Sequence, residues 1–361
     1  AIINIVCLGE DMETKLVKIE QMKDCLDEMK EAARLIREGE VVAFPTETVY
    51  GLGGNGLMES AVKKIYAAKG RPSDNPLILH VCDMEMAQSL VKEIPKPAKR
   101  AMEHFWPGPL TVILPRADHI PDCVTGGLST VAIRMPAHPA ALELIRQAQL
   151  PIAAPSANTS GRPSPTKAEH VFEDLHGKIP MILDGGAVKV GVESTIVDFT
   201  EPIPVILRPG RITKEELETV IGGEVQMNTS FKGIENGVPK APGMKYKHYA
   251  PKARMVLVLG EDTILVVEKI NALVKSAHED GKKVGVIATD ETIHKYHADE
   301  VLSVGKRQKM ETVIANLYDV LRQFDHKNVD IIYSEGFEGE PLSDAVMNRL
   351  VKAAGHEVIR I

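Results

Sequence analysis

The side chains best suited to chemistry fall in a few short stretches. In "AAKGRPSDNPL", residues 67–77, Lys69 and Arg71 flank a glycine. Pro72 and Pro76 keep the following segment extended, because proline fixes its own φ and restricts the residue before it. A guanidinium fork beside an ammonium on a stiff loop makes a phosphate grip. The same cations at a helix end would also answer the helix dipole. In "APSANTSGRPSPT", residues 154–166, Ser156, Asn158, Thr159, Ser160, Ser164 and Thr166 surround Arg162. Hydroxyls and amides at a strand end can line an anion or nucleotide site, or form a polar loop with Thr166 as N-cap of the next helix. "STVAIRMP" sets Thr130 four residues before Arg134, "GVESTIVDF" starts a strand with Ser194 and Thr195, and "LRPGRI" puts Arg208 and Arg211 around a turn.

This inventory neutralises and orients a polyanion without the usual phosphate loop. GxxxxGK[ST], GxSxG and HExxH are all missing from the sequence. "GLGGNG" matches GxGxxG through Gly51, Gly53 and Gly56. A dinucleotide fingerprint leaves its strand directly at the first glycine, whereas here "TETVY" intervenes after "VVAFP". A tight turn is the expected reading, with nicotinamide binding as its competitor.

These groups need elements to hold them. Apolar runs rich in Val and Ile predict strands at "EVVAFPT", "PLILHV", "LTVILP", "TVAIRMP", "PIAAPSAN", "MILDGG", "STIVDF" and "PVILRPG". Apolar spacings of three and four predict helices over 20–38, 60–69, 139–149 and 166–176, with Gly70 as a C-cap. Eight strands with few helices point to a large mixed sheet. Residues 253–361 alternate strand and helix and predict a smaller doubly wound α/β domain. Between them, residues 226–252 lose the pattern and read as a linker. The expected domains are therefore 1–225, a linker over 226–252, and 253–361.

The chain has 361 residues, enough for two domains, with 44% hydrophobic and 26% charged residues, as in soluble globular proteins. A net charge of −7 argues against a wholly basic nucleic-acid coat. Cys7, Cys25, Cys82 and Cys123 lack zinc-site spacing and suit reduced cytoplasmic thiols. No signal peptide and no apolar run long enough for a membrane span is expected.

"PTETVYGLG", "KGRP", "NPL", "SAN" and "PSPT", in this order along the chain, resemble the YrdC-like family of threonylcarbamoyl-AMP synthases. The Lys-x-Arg and Ser-x-Asn hallmarks are Lys69-Gly70-Arg71 and Ser156-Ala157-Asn158. The C-terminal half is similar to the SUA-type domain of the family's long branch, including "GMKYKHYAP" as its linker and "PLSDAVMNRLVKAA" as its closing helix. The resemblance implies a twisted mixed α/β sheet with a concave basic face. It implies that L-threonine, bicarbonate or CO2, and ATP yield threonylcarbamoyl-AMP and pyrophosphate, for modification of tRNA in the cytoplasm, with Mg2+ accompanying ATP and tRNA or tRNA-modifying proteins as partners. Lys69, Arg71, Ser156 and Asn158 are implied as catalytic. Arg71, Asn75, Thr130, Ser156, Ser164, Arg208 and Tyr249 are implied for ATP. Thr48, His80, Arg134, Ala154 and Ser194 are implied for L-threonine, with Arg134 as carboxylate partner because of its fork. No protein side chain is expected to ligate a metal.

Tyr246, His248, Tyr249, Lys245 and Lys247 are dense for a spacer, and predict a lid that excludes water or, alternatively, a pin between domains. Two further function classes compete: an RNA-binding module, and a carbamoyl transferase, whose zinc-finger cysteines this sequence lacks.

Overall fold

The computed structural model describes residues 12–73, 75–228, 234–235, 238–242 and 248–361. The chain divides into two compact units. The second comprises the C-terminal stretch to Ile361, beginning within the linker, together with two short earlier segments, Gly161–Ser164 and Val190–Val192. The first unit holds the rest.

The first unit is built on a mixed sheet of eleven strands. They are β1 (Lys15–Lys18), β2 (Val42–Phe44), β3 (Gly51–Asn55), β4 (Ile78–His80), β5 (Leu110–Pro115), β6 (Thr130–Arg134), β7 (Ile152–Ala154), β8 (Met181–Asp184), β9 (Thr195–Asp198), β10 (Val205–Arg208) and β11 (Gln226–Met227). Their order is β1-β8-β2-β3-β7-β4-β6-β5-β9-β10-β11. Its helices are α1 (Leu26–Arg37), α2 (Glu59–Lys69), α3 (Met84–Ser89), α4 (Lys96–Phe105), α5 (Asp122–Thr125), α6 (Pro139–Ala148), α7 (Ala168–Leu175) and α8 (Lys214–Ile221).

All eight expected strands form, and β1, β3 and β11 are additional. β3 is the informative difference, since "GLGGN" is neither a turn nor a dinucleotide loop but a buried strand antiparallel to β2 and β7. A Cβ on Gly53 would come within 2.6 Å of Ile152 and 2.7 Å of Phe44, so glycine is what lets β3 lie between them. α7 also departs from expectation. Its N-cap is Lys167, and the Thr166 backbone N–H donates to His170 Nδ1 at 3.2 Å. The expected linker opens with β11, paired parallel to β10.

Alternation along the strands sorts the side chains onto two faces. One face joins Leu52, Leu79, Val112, Ile133, Ala153 and Val197 in the main core, with α2, α4, α7 and α8 packed on it. On the opposite face α1 and α6 pack against β2, β7 and β8 through Ile36, Phe44, Leu144 and Ile152. Farther along that face, over β4, β6, β5, β9 and β10, the apolar cluster shrinks to Ile78, Ile113, Ala132, Ile196, Val205 and Leu207, joined by Ala241. No helical residue among the described ones contributes to it. Two-residue strands β12 (Ile234–Glu235) and β13 (Val238–Pro239) pair antiparallel just before Ala241.

The second unit has a five-stranded parallel sheet ordered β16-β15-β17-β14-β18. The strands are β14 (Arg254–Leu259), β15 (Val284–Ala288), β16 (Glu300–Ser303), β17 (Ile331–Glu335) and β18 (Val358–Arg360). Helices α9 (Thr263–Glu279), α10 (Met310–Phe324) and α11 (Ser343–Ala353) connect them. This is the doubly wound pattern read from the sequence. No helix among the described residues is long and apolar enough to cross a membrane.

Candidate active site

The Lys-x-Arg and Ser-x-Asn motifs form one physical object. α2 ends at Lys69, and Gly70 takes the left-handed conformation at φ 61°, which turns the chain sharply. The buried Lys69 ammonium donates to Ser156 O at 2.5 Å, to Asn158 O at 2.6 Å and to Asn158 Oδ1 at 3.3 Å. Ser156 Oγ donates to Asn158 Oδ1 at 2.5 Å, and the Ser160 backbone N–H donates to Lys69 O at 2.9 Å. Lys69 therefore shapes the Ser156–Asn158 turn. The sequence reading expected Lys69 in a phosphate grip; here its ammonium donates to three acceptors of that turn.

Arg71 lies on the following loop and donates through its guanidinium to Pro76 O at 3.2 Å and Asn75 O at 3.4 Å. Asn75 is buried, and its side-chain oxygen accepts no hydrogen bond among the described residues. An orphaned buried acceptor is costly, and a ligand donor would relieve that cost. Tyr66 holds this loop from below, donating to Asn75 O at 3.0 Å and Cys123 O at 3.1 Å.

Sheet register assembles the second group. His80 of β4 is paired with Arg134 of β6, Arg134 with Thr111 of β5, Thr111 with Ile196 of β9, and Ile196 with Arg208 of β10. One row across the sheet thus carries His80, Arg134, Thr111 and Arg208 on the face with the small apolar cluster. Thr130 lies on that face too, four residues before Arg134. Ala154 pairs with Ile78 on β4. Ser194, just before β9, is fully buried and shares a hydrogen bond of 2.7 Å with Thr111. Arg208 donates to Ser194 O at 3.1 Å and to its hydroxyl at 3.2 Å. Arg208 and Ser194, expected on the ATP and threonine sides respectively, are in direct contact.

The sequence reading missed Glu47. It accepts from Arg134 at 2.6 Å, and its other oxygen accepts from the Ala137 backbone N–H at 3.0 Å. Arg134 also donates to Thr48 Oγ1 at 2.9 Å, and Thr48 contacts Thr46 Oγ1 at 2.9 Å. The Arg134 fork, expected to stand ready for a carboxylate, is braced by an internal one. Glu47 was visible in "PTETVYG" as the charge beside Thr48, but contact with Arg134 across 87 residues left no local signal. His80 packs edge-on to Phe44, with ring centroids 6.0 Å apart. Burial, and then the Arg134 charge, pull its pKa down to about 3. It is a neutral ring at physiological pH, suited to hydrogen bonding.

Two expected ATP residues, Ser164 and Tyr249, belong to the second unit. Ser164 is buried. Tyr249 is buried too, with its ring 5.2 Å from that of Tyr318 on α10. The linker residues Lys245, Tyr246 and Lys247, named for the lid, lie outside the described residues. Among the described residues no group of three His, Cys, Asp or Glu side chains is placed to hold a metal ion.

Residues 34–210 match a family model covering Sua5, YciO and YrdC, described as "Telomere recombination". Residues 212–355 match the model described as "Threonylcarbamoyl-AMP synthase, C-terminal domain". A threonylcarbamoyl-AMP synthase of Pyrococcus abyssi is 52% identical over 91% of this chain and 95% of the relative. This chain belongs to the threonylcarbamoyl-AMP synthase family. Another synthase, from Bacillus subtilis, is 53% identical over 92% of this chain and 94% of its own. The crystal structure of P. abyssi Sua5 complexed with L-threonine superposes with a TM-score of 0.89 at 49% identity, covering 96% of this chain and 99% of that one. The fold of both units is therefore the family's two-domain fold.

Proposed function

We propose that this chain is an L-threonylcarbamoyladenylate synthase that joins L-threonine, bicarbonate or CO2, and ATP into threonylcarbamoyl-AMP, releasing pyrophosphate. The observation that carries this reading is the Lys69–Ser156–Asn158 unit beside a row of polar side chains, in a chain 49% identical to a protein solved with L-threonine. The product would serve N6-threonylcarbamoyladenosine formation on tRNA in the cytoplasm, so a tRNA-modifying protein is the partner this reading calls for.

The chemistry needs placement and charge neutralisation more than covalent help. The threonine ammonium loses a proton to solvent, and the free amine adds to CO2 and loses a second proton to solvent to form a carbamate. A carbamate oxygen attacks the α-phosphorus while the bond to pyrophosphate breaks. In this reading Arg71 neutralises phosphate, and the orphaned Asn75 oxygen accepts a hydroxyl or amino hydrogen of ATP. Thr130, Ser156 and Asn158 orient the nucleotide, and Lys69 fixes the turn that carries the last two. Arg134 with Glu47 forms an ion pair matched to the zwitterion of threonine: the guanidinium takes the carboxylate, and Glu47 with Thr48 receives the amine. His80 and Ala154 close that pocket. Arg208, bound to Ser194, stands where the two substrate groups meet. Magnesium, when bound, supplies charge neutralisation on the triphosphate.

The test is pyrophosphate release from magnesium ATP with bicarbonate, with and without L-threonine. Threonine-dependent release is expected. Release that ignores threonine, or none, would overturn the reading.

A further inference from the structure

Helix α10 carries one stripe that grips two distant parts of the chain. Ala315, Tyr318, Arg322 and Asp325 follow at spacings of three and four residues, which places them on one side of the helix and its C-cap. At Ala315 the segment Val190–Val192 lies so close that a Cβ on Gly191 would fall 2.5 Å from Ala315 Cα, and Gly191 has φ +93°. Farther along, the buried Arg322 guanidinium donates to Pro163 O at 2.7 and 3.2 Å. Asp325 receives Arg162 at 3.3 Å on one oxygen and the Lys252 backbone N–H at 2.7 Å on the other. The Ala250 backbone N–H donates to Gly161 O at 3.0 Å, and Tyr249 lies on Tyr318.

We propose that α10 sets the geometry of the loop that continues from the Ser156–Asn158 turn, with Arg322 and Asp325 as positioning residues; the proposal rests on the synthase reading above. The loop is made to transmit a constraint. Pro163 and Pro165 lock φ on either side of Ser164, so holding the Pro163 carbonyl and the Arg162 side chain leaves Ser164 little freedom. Only Thr159 and Ser160 separate this held segment from Asn158. Ser160 is itself fastened to Lys69 O, and the Thr159 backbone N–H to Asp174 Oδ2 at 3.0 Å. The loop is thus pinned at both ends, and α10 supplies the second pin. Burying a guanidinium is costly unless its donors are used, and Arg322 spends two of them on a single carbonyl. That use of a buried cation is what a positioning role requires. It gives the second unit a task in the reaction through the loop it holds.

The experiment uses the full chain with three substitutions. Arg322→Met keeps bulk and removes the donors, Arg322→Lys keeps a charged donor, and Asp325→Asn keeps size while losing the charge. Amide hydrogen exchange is followed over residues 156–166 and, as controls, over α2 and β5–β6. Michaelis constants for ATP and threonine are measured separately. For Arg322→Met, exchange over 156–166 should rise roughly tenfold with the controls unmoved, as loss of a charge-assisted bond implies. Its KM for ATP should rise by a similar factor, and that for threonine by less than about twofold. Arg322→Lys should recover most of both losses, and Asp325→Asn should show a smaller change in the same direction. Unchanged exchange over 156–166 in Arg322→Met would overturn the proposal. So would a rise shared equally by the controls, which would mean general loosening. A wild-type protein without threonine-dependent turnover would overturn the synthase reading, and the exchange data alone would then decide the role of α10.

Discussion

Each unit has a cluster of polar and charged side chains at strand ends, and the two are finished in opposite ways. In the first unit Lys69 is spent on shaping the Ser156–Asn158 turn, and Asn75 keeps a buried oxygen with no partner among the described residues. In the second, β15 and β17 are neighbours whose onward connections leave in opposite directions, toward β16 and β18. Open α/β sheets usually take ligands at such a switch point. Here the place is taken by the chain itself. The fully buried Glu335 accepts from Thr292, from Tyr296 at 2.8 Å and from Arg307 at 2.6 Å. Arg307 also donates to Gly336 O at 3.1 Å and lies 4.7 Å over the Phe337 ring. Burial, and then the Glu335 carboxylate, push the Tyr296 hydroxyl pKa upward, which keeps it a donor. Position at a strand end therefore does not make a binding site. What separates the two places is the acceptor at the centre: the Glu335 carboxylate is used by three donors and the Asn75 oxygen by none among the described residues, although Arg307 Nε is itself left without a hydrogen-bond partner among them.

The comparison is most exposed to Glu335→Ala. It strands Arg307 and removes the acceptor shared by Thr292 and Tyr296. Loss of one partner of a buried pair costs about 3–5 kcal/mol, so denaturant unfolding of the second unit should shift by that amount. ATP KM, measured well below the new midpoint, should stay within about twofold. A stable variant with collapsed ATP affinity would turn the closed cluster into a functional one.

Lys69→Met strikes the other side. Pyrophosphate release should fall by roughly two to three orders of magnitude, as when a fixed donor that organises a reacting centre is lost. Unfolding of the second unit should not move. A loss below tenfold would show that the Ser156–Asn158 turn holds itself.

Much of this was legible in the sequence because it is local. Every expected strand formed, since alternation and β-branched runs are written within five or six residues. Lys69, Arg71, Ser156 and Asn158 were recognisable by type and spacing. β3 was not, because its glycines answer Phe44 and Ile152 across the sheet, and a run of glycines reads locally as a turn. Glu47 was passed over for the same reason, as its partner lies 87 residues away. Arg134 and Ser194 were named as polar candidates by residue type, yet their contacts with Glu47 and Arg208 depend on strand order, which periodicity does not encode. The α10 stripe was covered only by the strand–helix alternation of residues 253–361, because its polar members look locally like a solvated face.

His80 offers a smaller test through pH. Its native pKa lies near 3, and the unfolded value is the ordinary 6.5. Between these limits the unfolded chain takes up a proton that the native site refuses. Stability from this group is therefore whole above pH 6.5 and falls as pH drops, by about 1.4 kcal/mol per unit. By pH 5 the loss should reach about 2 kcal/mol, and His80→Gln should flatten that part of the acid unfolding curve. An unchanged slope would mean that His80 is protonated in the folded protein.

The smallest expected effect separates two meanings of the Glu47–Arg134 pair. If Glu47 only occupies the guanidinium until substrate arrives, its charge competes with the threonine carboxylate, and Glu47→Gln should tighten threonine binding. If the pair meets the zwitterion as a unit, the lost charge weakens the hold on the amine, and the amide loosens Arg134. The geometry favours the second. Glu47 is fixed at its other oxygen by the Ala137 backbone N–H, so it cannot swing aside, and Thr48 shares the guanidinium beside it. Glu47→Gln should therefore raise the threonine KM roughly tenfold, about 1.4 kcal/mol, and leave ATP KM unchanged. A fall in threonine KM would make Glu47 a competitor and return Arg134 to the free fork that the sequence alone suggested.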